Sequence, residues 1–179
     1  MKKTRVSFLL ALCSAFLLAP GAPLHTQAKA EIDQGIYEIS SAVDTDFLLD
    51  VKHCTFNDSD SQKLQLYSAL DVNQQKFYFE TLPGGVYRIH ALHSGEAISS
   101  GEQGNISAPV FTEPVQRTGG RAVQKHQSWL LEDAGDGTYY LCSRTGKYLT
   151  LNASGAYLGA PVELRNFSGK NNQKWILKE

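Results

Sequence analysis

Four histidines, His53, His90, His93 and His126, are the side chains best suited to proton transfer near neutral pH. A general base needs a nucleophile beside it, and no Gly-x-Ser-x-Gly run or comparable serine or cysteine motif accompanies them. Paired carboxylates can hydrolyse glycosides, but no spacing singles out a pair. Asp58 and Asp60, in FNDSDS, alternate as calcium-loop ligands do. That stretch lacks the glycine and terminal glutamate with which an EF-hand closes around its ion, and it reads as a polar loop. Cys54 and Cys142 show no Cys/His metal spacing. The chain is therefore expected to be no enzyme, with no metal and no cofactor. The pattern that does recur is a glutamine, one spacer and a large aromatic.

That pattern occurs three times. It reads NQQKFYFE from Asn73 to Glu80, KHQSWLLE from Lys125 to Glu132, and NNQKWILKE at the C-terminus. Phe77, Trp129 and Trp175 occupy one slot, and Gln75, Gln127 and Gln173 the other. Recurrence at about 50 residues marks an internal repeat, whose units bury a face against one another. The aromatic is the largest apolar block each unit can send to a shared core. The glutamine amide can satisfy backbone groups where the strand turns inward.

The elements around the motif repeat as well. GIYEIS (Gly35 to Ser40), GVYRIH (Gly85 to His90) and GTYYLC (Gly137 to Cys142) alternate at period two, with Tyr37, Tyr87 and Tyr139 at the third place. Each is followed by a second strand around Asp50, Ser99 or Thr150 and a third reading KLQLY, PVFTE or PVELR. The motif opens the fourth. Ser61 to Phe79 could pass for a helix, but the equivalent stretches contain proline and glycine, so strands are expected throughout. The fold class is all-β, with three pseudo-symmetric four-stranded repeats at about 35–80, 85–132 and 137–179.

Lys2, Lys3 and Arg5, the apolar run Val6 to Leu18 and the small-x-small Ala28-Lys29-Ala30 compose a secretory signal peptide over 1–30, leaving one mature domain over 31–179. The protein is thus expected to be extracellular, without membrane insertion; a run of 13 residues is too short to span a bilayer. Of 17 Lys+Arg and 18 Asp+Glu, the leader holds four cations and no carboxylate, which leaves 13 against 18, a net charge of −5. An acidic domain without a basic run is poorly suited to nucleic acid. Secretion permits a disulfide, yet Cys54 and Cys142 lie at non-equivalent places in their repeats, and nothing in the sequence pairs them.

Three in-register copies of the motif with the preceding strands resemble the ricin B-chain-like lectins, across Gly35 to Glu179. The resemblance implies a β-trefoil fold and binding of galactose-type or related glycans or glycoconjugates, either alone or within a larger secreted complex. It also implies where sugar is held: an aspartate on the second strand, a polar residue and an aromatic on the third, and the residue before the motif glutamine. The first repeat supplies Asp50, Gln65, Tyr67 and Gln74, with Gln75 beginning the motif. Gln74 stands where the family usually has asparagine. The third repeat offers a second set in Thr150, Glu163, Arg165, Asn172 and Gln173, with Tyr157 in place of the lost ring. The second repeat has Ser99, Phe111, Glu113 and His126 and reads as structural. The rival readings are a protein-binding trefoil such as a protease inhibitor, and a degenerate lectin kept as a scaffold.

Overall fold

The computed structural model describes residues 27–52, 63–100, 110–113 and 125–179. The expectations for the leader up to residue 26, and for His53, Cys54, Asp58 and Asp60, lie outside the described residues. Among the described residues, twelve strands run in three sets of four. The first set is β1 (Gly35–Ser41), β2 (Phe47–Val51), β3 (Leu64–Ser68) and β4 (Lys76–Leu82). The second is β5 (Val86–Ala91), β6 (Ala97–Ser99), β7 (Phe111–Glu113) and β8 (Trp129–Gly135). The third is β9 (Thr138–Ser143), β10 (Tyr148–Leu151), β11 (Ala160–Arg165) and β12 (Trp175–Lys178). The stretch that could pass for a helix forms β3, a 3-10 turn at Asn73–Gln75 and β4.

The first and last strands of each set close an antiparallel barrel in the order β1–β4–β5–β8–β9–β12 and back to β1. Closure removes the exposed edges that an open sheet would present. The middle strands pair as hairpins β2–β3, β6–β7 and β10–β11. The hairpins meet through Leu64 N–H to the Val110 carbonyl (2.7 Å), Val110 N–H to the Val162 carbonyl (3.4 Å) and Gly159 N–H to the Leu66 carbonyl (2.8 Å). Leu64, Val110 and Val162 are pseudo-equivalent and buried. This six-stranded barrel capped by three hairpins is a β-trefoil.

Phe77, Trp129 and Trp175 are wholly buried in one core with Leu49, Ile98 and Leu149. Trp129 Nε1–H donates to the Ile98 carbonyl (3.0 Å) and Trp175 Nε1–H to the Leu149 carbonyl (3.1 Å), the same bond in two repeats. Phe77 has no N–H to offer at that place. The motif glutamines are buried too. Gln173 Nε2 donates to the Asn166 carbonyl and to Thr150 Oγ1, both at 2.9 Å, while its Oε1 accepts from Ser168 N–H (2.7 Å). Buried amides with partners on both ends hold the chain where it crosses from hairpin to barrel.

Residues 28–30, assigned by sequence to the removed leader, are engaged with the barrel. Lys29 bridges Glu132, with Ala30 N–H to the Leu131 carbonyl (2.9 Å) and Asp133 N–H to the Ala28 carbonyl (2.8 Å). Lys29 Nζ reaches the Gly84 carbonyl at 2.6 Å, crossing the place where Gly85 would carry a Cβ. With φ of +61°, Gly85 suits this approach on both counts. Among the described residues Cys142 is a free, buried thiol, and its pKa is pushed up to about 11 by burial and then by the Glu132 charge, so it is poorly reactive.

Candidate functional site

The first-repeat residues come together through strand register. On the β2–β3 hairpin Asp50 faces Gln65, and Leu48 faces Tyr67. Period-two alternation puts Gln65 and Tyr67 on the same side of β3. Gln74 arrives from the 3-10 turn, where successive residues point about 120° apart. The turn therefore sends Gln75 into the core and leaves Gln74 half-buried at the surface. Asp50, Gln65, Tyr67 and Gln74 line one cavity of about 480 Å³, with Val51, Lys52, Leu70 and Val72.

The chemistry of this cavity is an acceptor, an amide pair and an apolar wall. Gln65 Nε2 donates to Asp50 Oδ1 at 2.9 Å, which orients the carboxylate. Asp50 itself is only 6% exposed, deeper than a turn or edge-strand carboxylate would sit. The Gln74 amide and the Tyr67 hydroxyl make no hydrogen bond among the described residues. The Tyr67 ring stands beside Leu70 and Val72, so an apolar face and unsatisfied polar groups open on one space. Pockets that fix a small ligand combine such surfaces in this way.

Gln75, the fifth residue of the candidate set, is not among the residues that line the cavity. It is wholly buried, its Nε2 donating to the Ser68 carbonyl and its Oε1 accepting from Leu70 N–H, both at 2.8 Å. It acts through Leu70, whose backbone it pins at the cavity wall. Gln173 does the same in the third repeat and is likewise no surface group.

Most of the second candidate set is consumed by its own contacts. Thr150 is buried, and its hydroxyl donates to the Tyr148 carbonyl and accepts from Gln173. Arg165 holds the register place of Tyr67 and turns onto Glu163, Nη2 to Oε2 at 2.7 Å. Asn152 Nδ2 takes the other Glu163 oxygen at 2.9 Å. Asn172 Nδ2 donates to the Leu151 carbonyl at 3.0 Å, while its buried Oδ1 has no hydrogen-bond partner among the described residues. Tyr157 alone stands out, 52% exposed beside the equally exposed Leu158. In the second repeat, register places Ser99 against Phe111 and Ala97 against Glu113, and Ser99 and Gln127 are buried.

Sequence reasoning passed over Leu70 and Val72, which complete the apolar wall; their only signal was two apolar residues in a polar loop. Among the described residues, no group of three or more His, Cys, Asp or Glu side chains could hold a metal ion, and no helix is long and apolar enough to cross a membrane.

Residues 73–162 match the ricin-type β-trefoil lectin domain-like family, and the chain belongs to it. Among solved structures it is similar to ThreeFoil, a designed three-fold symmetric protein, at 28% identity and a TM-score of 0.68, covering 80% of this chain and 98% of that one. It is also similar to the ricin B-like lectin of Macrolepiota procera solved with lactose (14% identity, TM-score 0.64, 83% of this chain and 98% of that one). A third likeness is to the exo-β-1,3-galactanase 1,3Gal43A of Clostridium thermocellum (22% identity, TM-score 0.67), where the match covers 83% of this chain but only 31% of the enzyme. Among curated proteins none matches the chain.

Proposed function

We propose that this protein is a secreted, non-enzymatic carbohydrate-binding module that takes galactose-type glycans in the first-repeat cavity. The observation that carries the reading is the convergence of Asp50, Gln65, Tyr67 and Gln74 on one open cavity. A pyranose offers an apolar C–H face and a ring of hydroxyls. Tyr67, Leu70 and Val72 match the face; the Asp50 carboxylate and the Gln65 and Gln74 amides match the hydroxyls. Galactose-type specificity is supported by the lactose bound to the Macrolepiota lectin. The likeness to the galactanase covers only 31% of that enzyme, so its hydrolase activity is not carried over to this chain.

A glycan array probed with the purified protein is expected to retain β-galactosides, and titration with lactose to change Tyr/Trp fluorescence with a Kd of about 1 mM, near −4 kcal/mol. An array without any retained glycan, together with stoichiometric inhibition of a protease, would replace this reading with the inhibitor one.

Secretion rests on the basic start, the apolar run and Ala28-Lys29-Ala30. N-terminal sequencing of the protein from culture medium is expected to begin at or near Glu31. Such a chain gives up the Ala28–Ala30 pairing with β8 and keeps the Ile32 contacts, Ile32 N–H to Tyr87 Oη at 2.8 Å and Tyr87 O–H to the Ile32 carbonyl at 3.1 Å. A mature start upstream of Ala28 would instead assign that segment to the folded domain.

A further inference from the structure

A second cavity, of about 510 Å³, shares no lining residue with the Asp50 cavity. Among the described residues its wall is Leu82, Pro83, Val86, Arg88, Lys125, Ser128 and Arg144, and each charged one of these is a cation. That is unexpected in a domain whose net charge from residue 31 onward is −5.

The cations are assembled by the backbone. Arg144 N–H donates to the Ser128 carbonyl at 2.9 Å, and Ser128 N–H to the Lys125 carbonyl at 3.3 Å. Those two bonds draw Lys125, at the entry to β8, and Arg144, at the exit of β9, to one place. Lys125 and Arg144 make no ion pair among the described residues.

Arg88, on β5, completes the wall and is only 6% exposed. Its Nη1 meets Glu80 Oε2 at 3.3 Å, but Glu80 also takes His90 Nε2 at 2.9 Å. Burial pushes the Glu80 carboxyl up, yet the His90 hydrogen bond and the Arg88 charge outweigh it and hold the pKa below the usual carboxylate value. Glu80 therefore stays ionised and is shared between two partners. Among the described residues, Arg88 Nε is buried with no hydrogen-bond partner. A buried guanidinium N–H without an acceptor is costly.

We propose that this cavity binds a tetrahedral oxyanion, a sulfate or phosphate group. Guanidinium groups meet such oxygens through directed, charge-assisted bonds, and the Lys125 ammonium adds a point charge at the rim. The volume exceeds that of one ion, so the group can arrive free or as an ester on a sugar-sized ligand. This site is independent of the galactose reading, and either can fail alone.

The test follows backbone amide shifts of the purified protein by NMR as sodium sulfate is added, with sodium chloride at matched ionic strength as control. Saturable shifts at Val86, Arg88, Ser128 and Arg144 are expected with sulfate and absent with chloride. The variant Lys125→Glu/Arg144→Glu changes only exposed side chains and is expected to keep its fold, seen in unchanged amide dispersion, while sulfate affinity falls about ten-fold or more. Galactose 6-sulfate distinguishes the sources: tighter binding than inorganic sulfate assigns the site to an ester, equal or weaker binding to the free ion. Shifts that chloride reproduces, shifts scattered over surface lysines, or undiminished sulfate binding by the double variant would overturn the proposal.

Discussion

Replacing Trp129 or Trp175 by alanine is expected to cost about 3–5 kcal/mol, as large-to-small core substitutions do. Each ring is wholly buried at the junction of hairpin and barrel. Each substitution also strands a carbonyl, of Ile98 or Leu149, that now accepts from the indole N–H. An unsatisfied buried acceptor adds about 1–3 kcal/mol. The sum is a large share of the roughly 5–15 kcal/mol that holds a domain together, so the variants should be largely unfolded or poorly produced. Phe77→Ala leaves a cavity without stranding a carbonyl, since the phenyl ring donates nothing, and is expected to be the mildest of the three. Urea denaturation followed by circular dichroism gives the ranking. Variants that melt normally and lose only sugar binding would move these rings from the core to a binding surface.

The second large effect is on binding. Asp50→Asn preserves shape and removes charge. A carboxylate that accepts sugar hydroxyls gives charge-assisted bonds, and degrading them costs about 1–3 kcal/mol. Against the roughly 4 kcal/mol of a millimolar site, that loss takes binding to the limit of detection. The burial of Asp50 makes the fold control matter more than an exposed position would. Asn can still present its oxygen to Gln65 Nε2, so the 2.9 Å contact can survive and the melting temperature should change little. The comparison variant is Thr150→Ala, at the same register place in the third repeat. Its hydroxyl is engaged with Tyr148 and Gln173, so it should cost some stability and leave glycan binding unchanged. Binding lost through Thr150 or Tyr157 and kept through Asp50→Asn would transfer the site to the third repeat.

What could be read from the chain was what is local and repeated. Tyr37, Tyr87 and Tyr139 open strands at period two, and the glutamine and aromatic slots recur at about 50 residues, so strand number, order and the three-fold arrangement were legible without coordinates. The burial of Trp129 and Trp175 follows from the same pattern, because a repeated unit must hide its largest apolar side chain against its copies.

Which polar groups remain free for a ligand was decided by the tertiary structure. Gln74 and Gln75 are adjacent and identical in type, yet one lines a cavity and the other is spent on Ser68 and Leu70, because a 3-10 turn points them apart. Thr150, Glu163 and Arg165 look like a variant of the first-repeat set until their own contacts close them off. The pairing of Ala28–Ala30 with β8 spans about 100 residues of chain, and the Arg88, Lys125 and Arg144 wall draws on three separate stretches. A hydrogen bond or a cavity wall joins residues through space, and a sequence pattern carries only their order along the chain. The periodicity of this protein therefore determined its fold, and the closure of the barrel decided which of its side chains are left to meet a ligand.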